Sequence, residues 1–218
     1  MNEWLAAAQR AHATVPLDIL GGLLVLALAP FILVMSTSFV RIVVVLSLVR
    51  SAIGAAALPP NTVLTGLALV LTMVIMSPTL GAISKHAIEP YAHGRLSQAG
   101  MLDRAVTPLR AFMLRQARSG DIALFSRVAH RPVEAPVKAP TFVLIPAFVV
   151  GELRSAFAIG FALYLPFVAI DLAVASILMG LGMFMLSPPV VSLPAKLLLF
   201  VMVDGWALVC GGVVSSFR

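Results

Sequence analysis

Four long apolar runs, broken by one polar stretch, organise the chain. The first, "ILGGLLVLALAPFILVMSTSFV", covers residues 19–40 without a charge, and "RIVVVLSLV" extends the pattern past Arg41 to Val49. Twenty-two helical residues reach about 33 Å, enough to cross a hydrocarbon layer of about 30 Å. The second run, "NTVLTGLALVLTMVIMSPTLGAIS", covers residues 61–84. The link "RSAIGAAALPP" between them is short, which predicts an antiparallel helical hairpin. From Lys85 to Pro140 the pattern turns polar, with nine basic and four acidic residues. Within it, Leu109, Phe112 and Met113, then Leu124, Phe125 and Val128, have helical spacing. They predict two amphipathic pieces joined at Ser119-Gly120-Asp121, followed by a Pro-rich linker, "HRPVEAPVKAP". A third run begins near Phe142 and a fourth is "KLLLFVMVDGWALVCGGVVSSF"; "SPPVVSLP" reads as the turn between them. The expected organisation is a first hairpin region (1–84), a basic helical insert (85–140) and a second hairpin region (141–218).

One stretch departs from plain membrane filling. "GLGMFMLSPP", residues 180–189, sets two glycines, two methionines around a phenylalanine, and a double proline at a break in an apolar run. Glycine and proline loosen or end helices, and methionine is the most deformable apolar side chain.

Composition agrees with a multi-helix membrane protein. Of 218 residues, 61% are hydrophobic and 11% charged, against about a quarter charged in soluble domains. The net charge of +6 fits headgroup contacts and loop asymmetry, and no basic motif interleaved with aromatics argues for nucleic acid. The single cysteine, Cys210, lies in an apolar run as an inert thiol. His12, His86, His93 and His130 are scattered and have no metal-ligand spacing, so neither a metal nor another cofactor is expected. The N-terminus lacks a basic region before a short apolar core, so no cleaved leader is expected.

Charges and prolines intrude where a simple span would have none. Arg41, Asp171, Lys196 and Asp204 interrupt or border the apolar runs, as do Pro30, Pro78 and Pro166. One charge at a helix centre costs about 2.5–3.5 kcal/mol on insertion scales, so these must pair, face water, or lie outside lipid. A compact bundle with internal ion pairs and a translocation path both satisfy that demand. No phosphate-binding loop and no local serine–histidine–carboxylate arrangement competes, which leaves an intramembrane enzyme without a motif. A small-solute transporter or channel using Asp171 and Asp204 is the alternative.

The stretches "MSTSFVRIVVVLSLVRSAIG", "PPNTVLTGLALVLTMVIMSP", "PLRAFMLRQ", "PAFVVGELRSAFAIGF", "PFVAIDLAVASILMGLGM" and "KLLLFVMVDGW" together resemble the FliP/SctR (YscR, HrcR) family. The resemblance spans about residues 17–217. These are core export-gate proteins of flagellar and injectisome type III secretion, and the missing N-terminal extension leans towards the injectisome branch. The resemblance implies an all-α, non-catalytic subunit with about four membrane segments as helical hairpins. It further implies a homo-oligomer, typically a pentamer, in the bacterial inner membrane and extending to its periplasmic side. SctS-, SctT-, SctU- and SctV-like partners would surround it and unfolded secretion substrates would pass through. By the same resemblance Met183, Phe184 and Met185 form a gasket at the channel constriction, and Gly180, Gly182, Pro188 and Pro189 permit the loop. Arg41, Glu152, Arg154, Asp171, Lys196 and Asp204 are then expected to form ion pairs or buried polar contacts in the assembly. Three positions depart from the pattern: Gly151 replaces a small hydroxyl residue, Ala158 a polar one, and Met183-Phe184-Met185 a run of methionine. The basic insert would lie in the cytoplasm by the positive-inside rule, whereas the family places it on the extracytoplasmic side; the family placement is adopted.

Overall fold

The computed structural model describes residues 23–24, 27, 30–54 and 58–217, and every regular element among them is helical. The chain divides into two units, residues 1–34 and 35–218. In the first, the described residues are helical and present Leu23, Leu24, Phe31, Ile32 and Leu33 outward. The rest of the first apolar run lies outside the described residues.

The second unit begins with a correction. The apolar run does not continue as one helix past residue 35: Ser36, Thr37 and Ser38 form a turn, and a new helix, α1 (Phe39–Ile53), starts after it. The physical reason is local. Thr37 Oγ1 accepts a hydrogen bond from the Phe39 amide at 3.4 Å, an alternative to helix pairing that short hydroxyl side chains offer. Helix α1 then buries Ile42, Val45, Leu46, Val49 and Ile53, the three-and-four spacing of one face. It stops at Gly54, whose φ of 84° an L side chain rarely adopts.

Helix α2 (Asn61–Ile83) is apolar on all sides, yet buries only Leu64, Ala68, Met76 and Thr79. Such a helix needs an apolar surrounding on its remaining faces. It continues past Pro78, then into a π-helical turn (Ser84–Ile88) and the short α3 (Glu89–Ala92). The insert continues with α4 (Gln98–Gln116), capped where Ser97 accepts from the Gly100 amide, and α5 (Ser119–Val128). The joint is therefore Ala117–Arg118. Ser119-Gly120-Asp121 is the first turn of α5, where an acidic side chain is favoured by the helix dipole. The Pro-rich linker carries one 3₁₀ turn, Pro136–Lys138.

Helix α6 (Thr141–Gly180) has 40 residues, about 60 Å of helix, and passes through Pro146 and Pro166 without ending. It is shared by two cores. Its first half packs Val143, Leu144, Ala147 and Phe148 with Met76, Phe112, Met113 and Ile122 of α2, α4 and α5. Further along, Ala156 and Phe167 pack with α1, with Leu64 and Ala68 of α2, and with Phe200, Val209 and Val213 of the two last helices. Those are α7 (Pro188–Met202) and α8 (Gly205–Ser215), bent by 64° to one another. Among the described residues, two helices are long and apolar enough to cross a membrane, or three if the bent pair counts as one span. The fourth apolar run is thus broken, and "SPPVVSLP" is mostly the start of α7 rather than a turn. Proline at the first helical positions is tolerated because the missing amide would have no partner there.

Helices α1 and α6 meet at Gly160. A Cβ added there would lie 2.4 Å from Leu48 Cδ1 and 3.0 Å from its Cβ. Gly160→Val should therefore lower stability by about 1–3 kcal/mol through overpacking. Thermal unfolding in detergent checks this; an unchanged midpoint would mean the two helices separate freely.

Candidate functional site

The stretch at residues 180–189 is a loop held open by helix chemistry. Helix α6 ends in a Schellman closure: the Met183 amide donates to the Leu178 carbonyl at 2.9 Å and the Gly182 amide to Met179 at 3.1 Å. Gly182 supplies the left-handed residue this closure needs, at φ 73°. Pro188 and Pro189 open α7 on the other side. Between them Met183 is 43% exposed, Phe184 79% and Met185 fully exposed. None of the three fills the core of this chain. The glycine and proline pairs set the loop's two ends, and its apolar tip stands clear.

Below the loop, α6 and α7 are clasped. Asp171 Oδ2 pairs with Lys196 Nζ at 2.6 Å, and Ser192 Oγ donates to Asp171 Oδ1 at 2.5 Å. The Lys196 ammonium also donates to the Ala52 carbonyl of α1 at 3.3 Å. One cation thus neutralises a carboxylate in α6 and caps the negative end of α1. Sequence reasoning marked Asp171 and Lys196 but missed Ser192; its place four residues before Lys196, on the same helical face, was the available signal. Lys196→Ala should cost about 1–3 kcal/mol, less than a sealed pair would, because the Asp171 side chain keeps 28% of its surface in contact with solvent. Yield of folded chain in detergent measures it, and a yield equal to wild type would contradict the clasp.

A second node is fully buried. Arg41 of α1 makes a two-pronged pair with Glu152 of α6, Nε to Oε2 at 2.8 Å and Nη2 to Oε1 at 2.5 Å. The two side chains are 4% and 0% exposed. Arg41 also donates to the Ser216 carbonyl and hydroxyl, both at 3.0 Å, and to Gln116 Oε1 at 3.3 Å. Its guanidinium sits 3.8 Å from the centre of the Phe217 ring, which stacks on Phe112. One residue thereby ties α1, α4, α6 and the C-terminal end together. Gln116, Ser216 and Phe217 carried no signal that sequence patterning could separate from ordinary helix ends.

A third pair, Arg154 with Asp121, is bidentate at 2.8 and 2.9 Å and fastens α5 to α6. The sequence pattern marks Asp121 as part of a joint and carries no sign of this ion pair. Asp204 stands apart from these nodes. It is exposed, it occupies the left-handed conformation (φ 49°) at the break before α8, and its side chain makes no cap hydrogen bond. Nothing in the arrangement joins Asp171 and Asp204 in one site.

The family model that matches the chain is that of the FliP family, over residues 23–213. The flagellar biosynthetic protein FliP of Pectobacterium carotovorum subsp. carotovorum is 49% identical over 193 residues, 88% of this chain and 75% of its own length. That of Caulobacter vibrioides is 47% identical over 202 residues, 92% and 76% of the two chains. That of Bacillus subtilis is 42% identical over 223 residues, the full length of both. These matches, which cover nearly the whole chain, lead to one placement: the chain belongs to the FliP family.

Proposed function

We propose that this chain is a subunit of the export gate of a flagellar-type type III secretion apparatus in the bacterial inner membrane, with the loop at Met183–Met185 as its seal. One observation carries the reading: an apolar tip of two methionines and a phenylalanine stands outside the core on a hairpin clasped from below. Several copies converging on one axis would bring these tips together as a dry collar, and methionine can repack around a passing chain. The many exposed apolar residues of α2, α6 and α7 support burial against lipid, further copies, and SctS-, SctT-, SctU- and SctV-like partners. In that assembly the pairs of Arg41 with Glu152, Arg154 with Asp121 and Asp171 with Lys196 hold each subunit's shape from within, and the exposed Asp204 would meet a neighbouring subunit. The subunit has no chemistry of its own and relies on partners for energy.

The relatives named above are flagellar, which favours that branch over the injectisome branch expected from the N-terminus. A strain lacking the chain should lose export of flagellar subunits and regain it with the wild-type gene. Loss of host-directed secretion with motility intact would assign it to the injectisome, and normal export in both systems would overturn the gate.

The insert is proposed to lie outside the cytoplasm. Ser97, the exposed N-cap of α4, is a suitable probe. Ser97→Cys in a Cys210→Ala background should react with a membrane-impermeant maleimide added to spheroplasts. Reaction only after lysis would place the insert in the cytoplasm instead.

A further inference from the structure

Helix α7 is gripped at its middle. There Ser192 and Lys196 hold Asp171 of α6, and Lys196 also reaches the Ala52 carbonyl of α1. Its N-terminal end carries the exposed loop of Met183, Phe184 and Met185. Its C-terminal end is an elbow. Val203 and Asp204 are the whole joint to α8, which leaves at 64°. Asp204 turns the chain in the left-handed region, which a residue other than glycine keeps only where its surroundings enforce it. Phe200 supplies that enforcement. Its ring lies so close to Gly205 that a Cβ there would collide with it, and it meets the Trp206 ring edge-on at 5.2 Å.

The same ring borders empty space. A cavity of about 240 Å³ is lined by Val49 of α1, Leu163 and Phe167 of α6, Phe200 of α7, and Gly205 and Val209 of α8, among other apolar residues. No charged or hydrogen-bonding side chain lines it, and Val49, Phe167, Phe200, Gly205 and Val209 make a buried floor. Protein interiors keep few voids larger than a water molecule. An apolar cavity of about 150 Å³ already takes a benzene-sized ring, so the Phe200 ring has room to move beside the place it holds. A two-residue joint, a left-handed aspartate and a void thus coincide at one end of the helix whose other end bears the apolar tip. Short joints of this kind absorb the dihedral changes when rigid elements move.

We propose that α7 is a lever. It rocks on the clasp of Asp171 and Lys196, and entry of its Phe200 end into the cavity lifts the Met183–Met185 loop away from the channel axis. The arms match: Ser192 to Pro188 and Lys196 to Phe200 are four residues each, about 6 Å of helix, so the two ends travel similar distances in opposite senses. The lever rests on the gate reading, for which it supplies the moving part.

Two substitutions push the lever in opposite directions. Gly205→Ala puts a methyl group against the Phe200 ring and drives the ring into the cavity. The idle complex, recovered with its partners and placed in a bilayer, should leak small ions about 10-fold faster than wild type. Adding Phe200→Leu shortens the clashing side chain and should lower the leak again. Val209→Phe instead fills the cavity from α8. It should add no leak, keep the thermal midpoint at or above wild type, and reduce export by about 10-fold, because Phe200 then has nowhere to go. A Gly205→Ala complex as tight as wild type would overturn the lever, as would normal export by a folded Val209→Phe chain. If only one variant folds, that one decides. Failure of both to fold would show that the space accepts no ring and overturns the lever equally. The gate reading is separable: if it fails, alanine at Met183, Phe184 and Met185 also leaves the complex tight. If the lever alone fails, that triple variant leaks and Gly205→Ala does not.

Discussion

Glu152→Ala should be the most damaging single substitution in the chain. It removes both oxygens that Arg41 holds at 2.5 and 2.8 Å and leaves a guanidinium sealed from solvent. The Ser216 and Gln116 oxygens remain, but neutral acceptors do not replace a carboxylate. Stranding one charge of a buried pair typically costs about 3–5 kcal/mol. Whole domains are stable by only about 5–15 kcal/mol, so most of the chain should be lost to unfolding and degradation. Glu152→Gln keeps one acceptor oxygen and should fall between alanine and wild type. Arg41→Met with Glu152→Leu removes both charges and fills the space, and should recover much of the loss, because a buried pair contributes little beyond its apolar replacement. Folded yield and thermal midpoint in detergent report all three. A Glu152→Ala chain as stable as wild type would mean that water reaches Arg41 and the node is not sealed.

Much of this node was legible as a demand and not as a solution. A charge in an apolar run must find a partner, and that reasoning singled out Arg41, Glu152, Arg154, Asp171, Lys196 and Asp204 from their surroundings. All but the exposed Asp204 pair within the chain, but the pairing crosses 111 residues between Arg41 and Glu152, and no periodicity encodes so long a closure. Local chemistry explains the misplaced boundaries. Asp204-Gly205 is a turn pair, and aspartate tolerates the left-handed region, so the break before α8 was readable within an otherwise unbroken apolar run. Proline-proline after Ser187 signals a turn, yet proline at the first helical position equally starts a helix, and here it does. Hydroxyl clustering at Ser36–Ser38 gave a similar local signal against a greasy background. The helical class itself followed directly from run length and hydropathy, which the fold preserves.

Alanine at Met183, Phe184 and Met185 together should have the largest functional effect with the smallest structural one. Phe184 and Met185 project from the chain, the last completely, while Met183 is partly covered and outside the buried core, so shortening the three removes little packing within the subunit. Exposed substitutions of this kind usually change stability by no more than about 0.5 kcal/mol. The clasp of Asp171, Ser192 and Lys196 lies outside the replaced residues, and the Schellman closure uses only the backbone amides of Gly182 and Met183, so both should keep the hairpin in place. A collar of converging tips would lose its thioether and ring ends in every copy at once, and a dry constriction would become wide enough to wet. The decisive measurement is therefore the small-ion conductance of the recovered complex, triple-alanine against wild type, in the same bilayer. The account predicts an intact complex with a clearly raised leak. An intact triple-alanine complex as tight to ions as wild type would contradict it and put the seal elsewhere.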